Sequence, residues 1–250
     1  MGAIFEYEGV VLADTSDLHS KAWLQLAAEE GKARPLQWAL QRAQGMKDEQ
    51  VVQEVFCWSR NPAEVRHLAA RKEELYRALL GEHSPPVAPG VKLLLETLTK
   101  HQVPAALATS APEARVRAAL HGGGLDDLFM AVVTSEDVSR GRPDPEPYLL
   151  AAQQIGRPPV RCVIIGNSNQ SVEAAREGGM AAVVVAGQQP LYELGAADLV
   201  VRQLDELSLV NLKQLFRNEA HVERGAPEPE LQLEQEAEDV FEPLTFDHVW

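Results

Sequence analysis

Ala3-Ile4-Phe5-Glu6-Tyr7-Glu8-Gly9-Val10-Val11, with Asp14-Thr15 just behind it, is the stretch that decides how the chain reads. Residues 3–8 read as a short buried strand that closes on two carboxylates one residue apart and then a glycine. Along extended backbone the residue between two such acids points the other way, so Glu6 and Glu8 are expected to face one site at the strand's C-terminal end. In an open α/β sheet that edge is where ligands bind. Two acids there suggest metal-assisted chemistry on an anion.

From about Asp17 the period changes. Leu18, Ala22, Trp23, Leu26 and Ala27 give a helical stripe that Gly31 ends. Further helices are expected over Leu36–Ala43, Glu49–Trp58 and from about Ala63 to Leu80, with Pro35 and Pro62 at helix starts. Residues 14–86 thus read as an all-helical cap, closed by the linker His83-Ser84-Pro85-Pro86. Strand and helix then alternate. Helices are expected over Gly90–Lys100, Pro112–Leu120, Pro145–Ile155 and Val172–Glu177. Strands are expected over Val103–Thr109, Met130–Thr134, Cys162–Ile165, Ala181–Ala186 and Leu199–Val201. Short apolar runs, each followed by a helix, imply a parallel sheet covered on both faces. The expected fold is therefore α/β. A doubly wound, Rossmann-like core of residues 1–13 and 87–217 carries the cap 14–86 after its first strand, and an acidic tail spans 218–250.

The 250 residues are 45% hydrophobic and carry a net charge of −14. That charge is uneven, because ten acidic residues face a single Arg from Asn218 to Trp250. The body before it is only mildly acidic and shows no basic stripe, which argues against nucleic acid. No run is long enough to span a membrane. The start shows no signal-peptide pattern, so a cytoplasmic protein is expected unless a targeting segment lies outside this sequence. Pro227, Pro229 and the Glu-rich Glu228–Asp239 read as a disordered tail. Apolar beads at Phe241–Phe246 and Val249-Trp250 offer that tail a means of docking on a protein partner or on the body. Cys57 and Cys162 read as buried small hydrophobes rather than a disulfide. The seven His show no metal-ligand spacing. Trp23, Trp38 and Trp58 suit either the cap's core or a substrate platform.

Three further segments are expected beside Glu6 and Glu8. In Leu107-Ala108-Thr109-Ser110 a strand runs into hydroxyls just before a helix, which suits an anion cradle or a plain N-cap. In Ser139-Arg140-Gly141-Arg142-Pro143 both Arg can face water, or Arg142 can reach into the site and balance charge. In Ile165-Gly166-Asn167-Ser168-Asn169 capping explains Ser168 or Asn169 but does not need Asn167.

The order of these segments resembles the haloacid dehalogenase-like superfamily, in the subgroup with a helical cap after the first strand. The resemblance covers roughly residues 3–215. It rests on Asp14-Thr15 with His19 and Ala22-Trp23, Pro89-Gly90-Val91, Ala108-Thr109-Ser110, Gly141-Arg142-Pro143-Asp144-Pro145, and Val172-Glu173-Ala174-Ala175 with Gly179-Met180. Within it the chain looks most like the plastid phosphatases of riboflavin biosynthesis, which act on 5-amino-6-(5-phospho-D-ribitylamino)uracil. Glu6-x-Glu8-Gly9-Val10, Cys57-Trp58-Ser59-Arg60, Gly166-Asn167-Ser168-Asn169 and Tyr192–Val201 carry that closer likeness.

The resemblance implies a phosphatase of a small phosphorylated metabolite, and a plastid stromal setting. It puts Glu6 at the nucleophile position and Glu8 at the acid/base position, where the family carries Asp. Thr109, with Ser110 beside it, falls at the phosphate-binding hydroxyl, Arg142 replaces a Lys, and Gly166-Asn167 replaces an acidic pair. Mg²⁺ would lie among Glu6, Glu8 and Asn167, held more weakly for the missing charge. Each Glu carries one methylene more than Asp, and displacement on the order of 1 Å can cost ~10²-fold in rate. The alternative implied is a pseudophosphatase, kept as a scaffold or ligand-binding subunit.

Overall fold

A computed structural model of the chain describes residues 1–81, 84–187, 189 and 191–222. Its centre is a six-stranded parallel sheet in the order β3-β2-β1-β4-β5-β6. The first strand, β1 (Gly2–Glu6), lies in the middle with all five residues buried. It pairs on one side with β2 (Ala105–Ala108), Glu6 opposite Ala108, and on the other with β4 (Cys162–Gly166), Phe5 opposite Ile165. Outside these lie β3 (Ala131–Val133), β5 (Ala181–Val185) and β6 (Leu199–Val201). Strand order reverses at β1, so the edge just past Glu6 is the crevice where such sheets take ligands.

Both faces of the sheet are covered, which is why its strands read as apolar runs rather than alternating ones. Ala3 and Phe5 point into one layer with Val91, Leu95, Val116, Leu120 and Leu212. Ile4 points into the other with Tyr148, Ala151, Val172 and Ala175. By that alternation the Glu6 side chain follows Ile4 into the layer that holds Tyr148.

Between β1 and α5 (Val91–Lys100) the chain forms α1 (Ser16–Glu29), α2 (Gln37–Ala43), the single turn α3 (Asp48–Gln50) and α4 (Pro62–Leu80). They bury a cluster of their own around Trp23, Leu26, Val51, Val52, Leu68 and Tyr76. The Asn61 side chain caps α4 by accepting from the amides of Ala63 and Glu64, and Pro62 occupies its first turn. The rest of the chain supplies α6 (Glu113–Gly123), α7 (Glu146–Gln154), α8 (Asn169–Glu177) and α9 (Leu209–Val222). No helix among the described residues is long and apolar enough to cross a membrane.

Four expectations need correction. The first strand stops at Glu6, so Glu8 is not in it. The chain turns instead through a tight loop in which the amides of Val11 and Leu12 both donate to the Tyr7 carbonyl, at 3.0 and 2.9 Å. The helix expected over Glu49–Trp58 becomes α3 followed by a π-helical turn, Val51–Val55. The wider turn seats Val51 and Val52 in the cluster while Phe56 and Trp58 both pack edgewise on Trp23 and lie tilted to each other. Cys57, just beyond, is exposed at φ 52°, not buried; Cys162 is buried, and both are free thiols. Helix α9 went unread, although Ser208 donating and accepting with Asn211, ahead of Leu209 and Leu212, is a helix-start signal. It runs past Asn218, where the tail was expected to begin. From residue 223 onward the expected tail and its docking beads lie outside the described residues, as does the first residue of the expected linker, His83.

Candidate active site

Glu6, Glu8, Thr109, Ser110, Arg142 and Asn167 all line one cleft between the sheet's C-terminal edge and the helices before α5. The cleft is open at its mouth, and about 1100 Å³ of space, solvent in front of it included, lies between these side chains. Each of the four segments arrives there for a topological reason, since each leaves a parallel strand or the loop beside one.

Glu6 is 3% exposed and both of its carboxylate oxygens are engaged. Arg142 Nη1 donates to Oε2 at 2.5 Å, and the Tyr148 hydroxyl donates to Oε1 at 2.5 Å. The Asn167 amide also points at Oε2, 3.3 Å away. Burial works to lower the Arg142 pKa, but Glu6, Tyr148 and Glu8 together outweigh it, so the guanidinium is held charged. Burial, then the Glu6 carboxylate, drives the Tyr148 phenol well above its ordinary value, so it stays a donor.

Glu8 has a different set of partners. His19 Nε2 lies 2.8 Å from Oε2, the Tyr76 hydroxyl donates to Oε1 at 3.2 Å, and Arg115 forms an ion pair with the same oxygen. Behind His19, Lys72 Nζ lies 2.8 Å from Nδ1 and 2.8 Å from Asp48 Oδ1. An ammonium can only donate, so His19 Nδ1 accepts and Nε2–H is free to donate to Glu8. Burial pushes the Glu8 pKa up, yet His19, Arg115 and Lys72 overcome it and hold the carboxyl well below its usual range. Burial and Lys72 hold His19 below its usual value. Burial raises Tyr76 to about 12.

The two acids therefore share a cleft but not a point within it. Past β1 the chain leaves extended geometry, and that separates them. Glu6, Glu8 and Asn167, the expected metal set, meet in this cleft but are engaged with other partners. Asn167 Oδ1 accepts from Arg142 at 2.8 Å, and its Nδ2 donates to the Glu8 carbonyl at 3.3 Å. Among the described residues no three His, Cys, Asp or Glu side chains are grouped to hold a metal ion. The oxygens a divalent ion would need already surround a guanidinium nitrogen, so the residues as arranged do not fit Mg²⁺.

Thr109 Oγ1 accepts from the Ala111 amide at 3.0 Å, which leaves its hydroxyl proton free for a ligand. The Ser110 hydroxyl donates to the Gly45 carbonyl at 3.1 Å and so serves the contact with the helices before α5. That contact is close. The Arg142 amide also donates to Gly45 O, the Gly141 amide donates to Gln50 Oε1 at 2.6 Å, and Lys47 donates to the carbonyls of Ser135 and Val138. Gly45 sits at φ 74°, and a Cβ there would fall 2.0 Å from Arg142 Nε. A Cβ on Gly141 would fall 2.8 Å from Gly45 O, so both glycines are needed for the approach. Arg140 faces outward and pairs with Glu54 through two 2.9 Å bonds. Of the tryptophans, Trp23 is buried and lines the cleft, while Trp38 is exposed.

Sequence reasoning missed Tyr148, Ser171, Lys72, Tyr76 and Arg115. Tyr148, Arg115 and Ser171 each had a positional cue, standing third in α7, α6 and α8, because a helix start that follows a strand edge points into the crevice.

The chain is 46% identical over 238 residues to the chloroplastic 5-amino-6-(5-phospho-D-ribitylamino)uracil phosphatase of Arabidopsis thaliana, covering 95% of this chain and 62% of that protein. It is 32% identical over 218 residues to β-phosphoglucomutase of Bacillus subtilis, covering 82% of this chain and 91% of that one. In fold it matches the structure of β-phosphoglucomutase from Clostridium difficile at a TM-score of 0.76 and 21% identity, over 88% of this chain and 98% of that one. A hydrolase from Pseudomonas syringae matches at 0.73 and 28% identity, over 86% and 98%. Residues 4–185 match the haloacid dehalogenase-like hydrolase family, and the chain belongs to it.

Proposed function

We propose that the chain is a phosphatase of a small phosphorylated metabolite. The observation that carries this is the convergence of Glu6, Glu8, Thr109, Ser110, Arg142 and Asn167 on one cleft. The first substrate to try is 5-amino-6-(5-phospho-D-ribitylamino)uracil, because the Arabidopsis relative bears that name, and a plastid setting goes with it. The helices over the cleft suit a small substrate, since such a cover excludes water.

In this reading the phosphoryl oxygens take the Thr109 hydroxyl and the Arg142 guanidinium. Arg142 transfers its hold from Glu6 Oε2 to the phosphoryl group, which frees that oxygen to attack phosphorus. The ester oxygen leaves with a proton delivered from water. Glu8 takes a proton from the water that then cleaves the acyl phosphate; His19, Arg115 and Tyr76 keep it ionised and so able to accept one, and also make it a weak base. No step is routed through Mg²⁺, because the donor set as arranged does not fit it.

A second reading is favoured by a specific observation. Both Glu6 oxygens are occupied and the side chain is almost wholly buried. That suits a pseudophosphatase that binds the metabolite without hydrolysing it. Phosphate release from a panel of phosphorylated metabolites, by wild type and Glu6→Gln, separates the two. The phosphatase reading expects turnover in wild type and its loss in Glu6→Gln. Equal turnover in both overturns Glu6 as nucleophile. No turnover, with saturable binding of a panel member, selects the second reading.

A further inference from the structure

Arg142 is more than a phosphate contact. Four oxygens surround its Nη1: Glu6 Oε2 at 2.5 Å, Asn167 Oδ1 at 2.8 Å, and the Ser168 and Ser171 hydroxyls at 3.2 Å each. A guanidinium Nη carries two hydrogens, so four oxygens cannot each receive a directed bond from it. The arrangement is that of an oxygen shell around a point of positive charge. Ser171 is 1% exposed and Glu6 3%, so the shell is built into the core, not draped on the surface.

The neighbouring residue shows how the shell is filled. A Cβ on Gly166 would fall 2.4 Å from Ser171 Cβ and 2.9 Å from Glu6 Oε1. The longer Glu6 side chain thus projects its carboxylate into the space that a side chain at 166 would occupy. Glycine at 166, glutamate at 6 and arginine at 142 fit one another in volume and in charge. Mg²⁺ demands near-ideal octahedral oxygen at about 2.0–2.1 Å, and here a second cation would have to share the shell with a guanidinium.

We propose that Arg142 is the resident cation of this site, standing where a divalent metal would otherwise be held by Glu6, Asn167, Ser168 and Ser171, so that the chain binds a phosphate anion without Mg²⁺. The proposal rests on placing the site at Glu6, as the phosphatase reading does, but not on turnover. It is read by metal binding, so its failure leaves the phosphatase reading standing.

The experiment is Mn²⁺ titration followed by electron paramagnetic resonance, on wild type, Arg142→Ala and Arg142→Gln, with circular dichroism to establish folding. Wild type is expected to show no saturable Mn²⁺ site at millimolar concentration. Arg142→Ala is expected to bind at least tenfold more tightly, and the equally uncharged Arg142→Gln takes its place if the alanine variant is unfolded. Equal Mn²⁺ binding in wild type and the folded variants, whether strong or absent, overturns the proposal. As a second arm, inorganic phosphate binding to wild type is measured by calorimetry with EDTA and with Mg²⁺. Affinities within twofold are expected, and a tenfold loss in EDTA overturns the proposal even if the variants are both unfolded.

Discussion

Glu6 and Glu8 are the same residue type, two positions apart, yet they sit in two different kinds of surroundings. Glu6 is answered from the sheet edge and its loops: Arg142, Tyr148 and the Asn167 amide. Glu8 is answered largely from the helices inserted after β1, by His19 on α1 and Tyr76 on α4, with Arg115 of α6 completing the set. One carboxylate is locked within the body that the sheet builds. The other joins that body to the helices above it. The difference shows that what a carboxylate can do here depends on which elements supply its donors. Chemistry at Glu6 is limited by burial and by Arg142, whereas Glu8 depends on how the inserted helices sit.

The comparison can be broken by removing partners. The largest effect is expected from Arg142→Ala, which leaves Glu6 buried and uncompensated. Breaking such a pair costs about 3–5 kcal/mol, read as the shift in urea unfolding. Arg115→Ala should cost less, about 1.5–3 kcal/mol, because His19 and Tyr76 still serve Glu8. A larger loss for Arg115→Ala would reverse the ranking of the two sites.

Tyr148→Phe removes one donor to a buried carboxylate and should lower stability by about 1.5–3 kcal/mol in the same measurement. Gly45→Ala acts on the joint instead of on either acid. Its left-handed backbone alone costs on the order of 1–3 kcal/mol for a residue with a Cβ. The collision with Arg142 Nε adds to that, so faster proteolysis in the loop around Gly45 is expected alongside the stability loss. Wild-type resistance in Gly45→Ala would show that this approach is not tight.

The smallest effect is pH dependence, and it sharpens the contrast. His19 has a folded pKa below its ordinary 6.5, so the fold favours the neutral ring. Its contribution is complete above pH 6.5 and is lost as pH falls below that value. Glu8 has a folded pKa below its ordinary 4.5, so its contribution is complete above 4.5 and is lost on further acidification. Stability should therefore decline in two stages on the acid side. His19→Gln should abolish the upper stage and leave the lower one. A wild-type profile flat from pH 7 to 5 would remove His19 from the account.

The sheet and the cleft's location were legible because β1, β2, β4 and β5 are apolar runs that end in polar residues, a pattern fixed by burial on both faces. The meeting of Glu6, Thr109, Arg142 and Asn167 followed from that. What was not legible came from tertiary packing. Lys72 lies in Arg71-Lys72-Glu73-Glu74, which reads as a solvated helix face, yet it is 3% exposed because His19 and Asp48 converge on it. Tyr148 was not singled out, because its place in the first turn of α7 gives the direction of its hydroxyl but not its partner, Glu6. The π-helical turn at Val51–Val55 was invisible for the same reason, since the burial of Val51 and Val52 decides it rather than propensity.

The tight space at Gly166 sets an order on the routes by which this chain could change. An acid introduced at 166 collides with Ser171 and with the end of Glu6, so that step is closed while both side chains stand as they are. Shortening residue 6 to aspartate removes the collision with the end of Glu6 but not the one with Ser171, and it draws the carboxylate away from Arg142 and Tyr148. Each substitution alone is expected to be worse than the starting chain, and an acid at 166 needs residues 6 and 171 to change with it. Evolution or a laboratory library sampling one position at a time would meet a valley there, and the present combination would persist because its neighbours in sequence are poor.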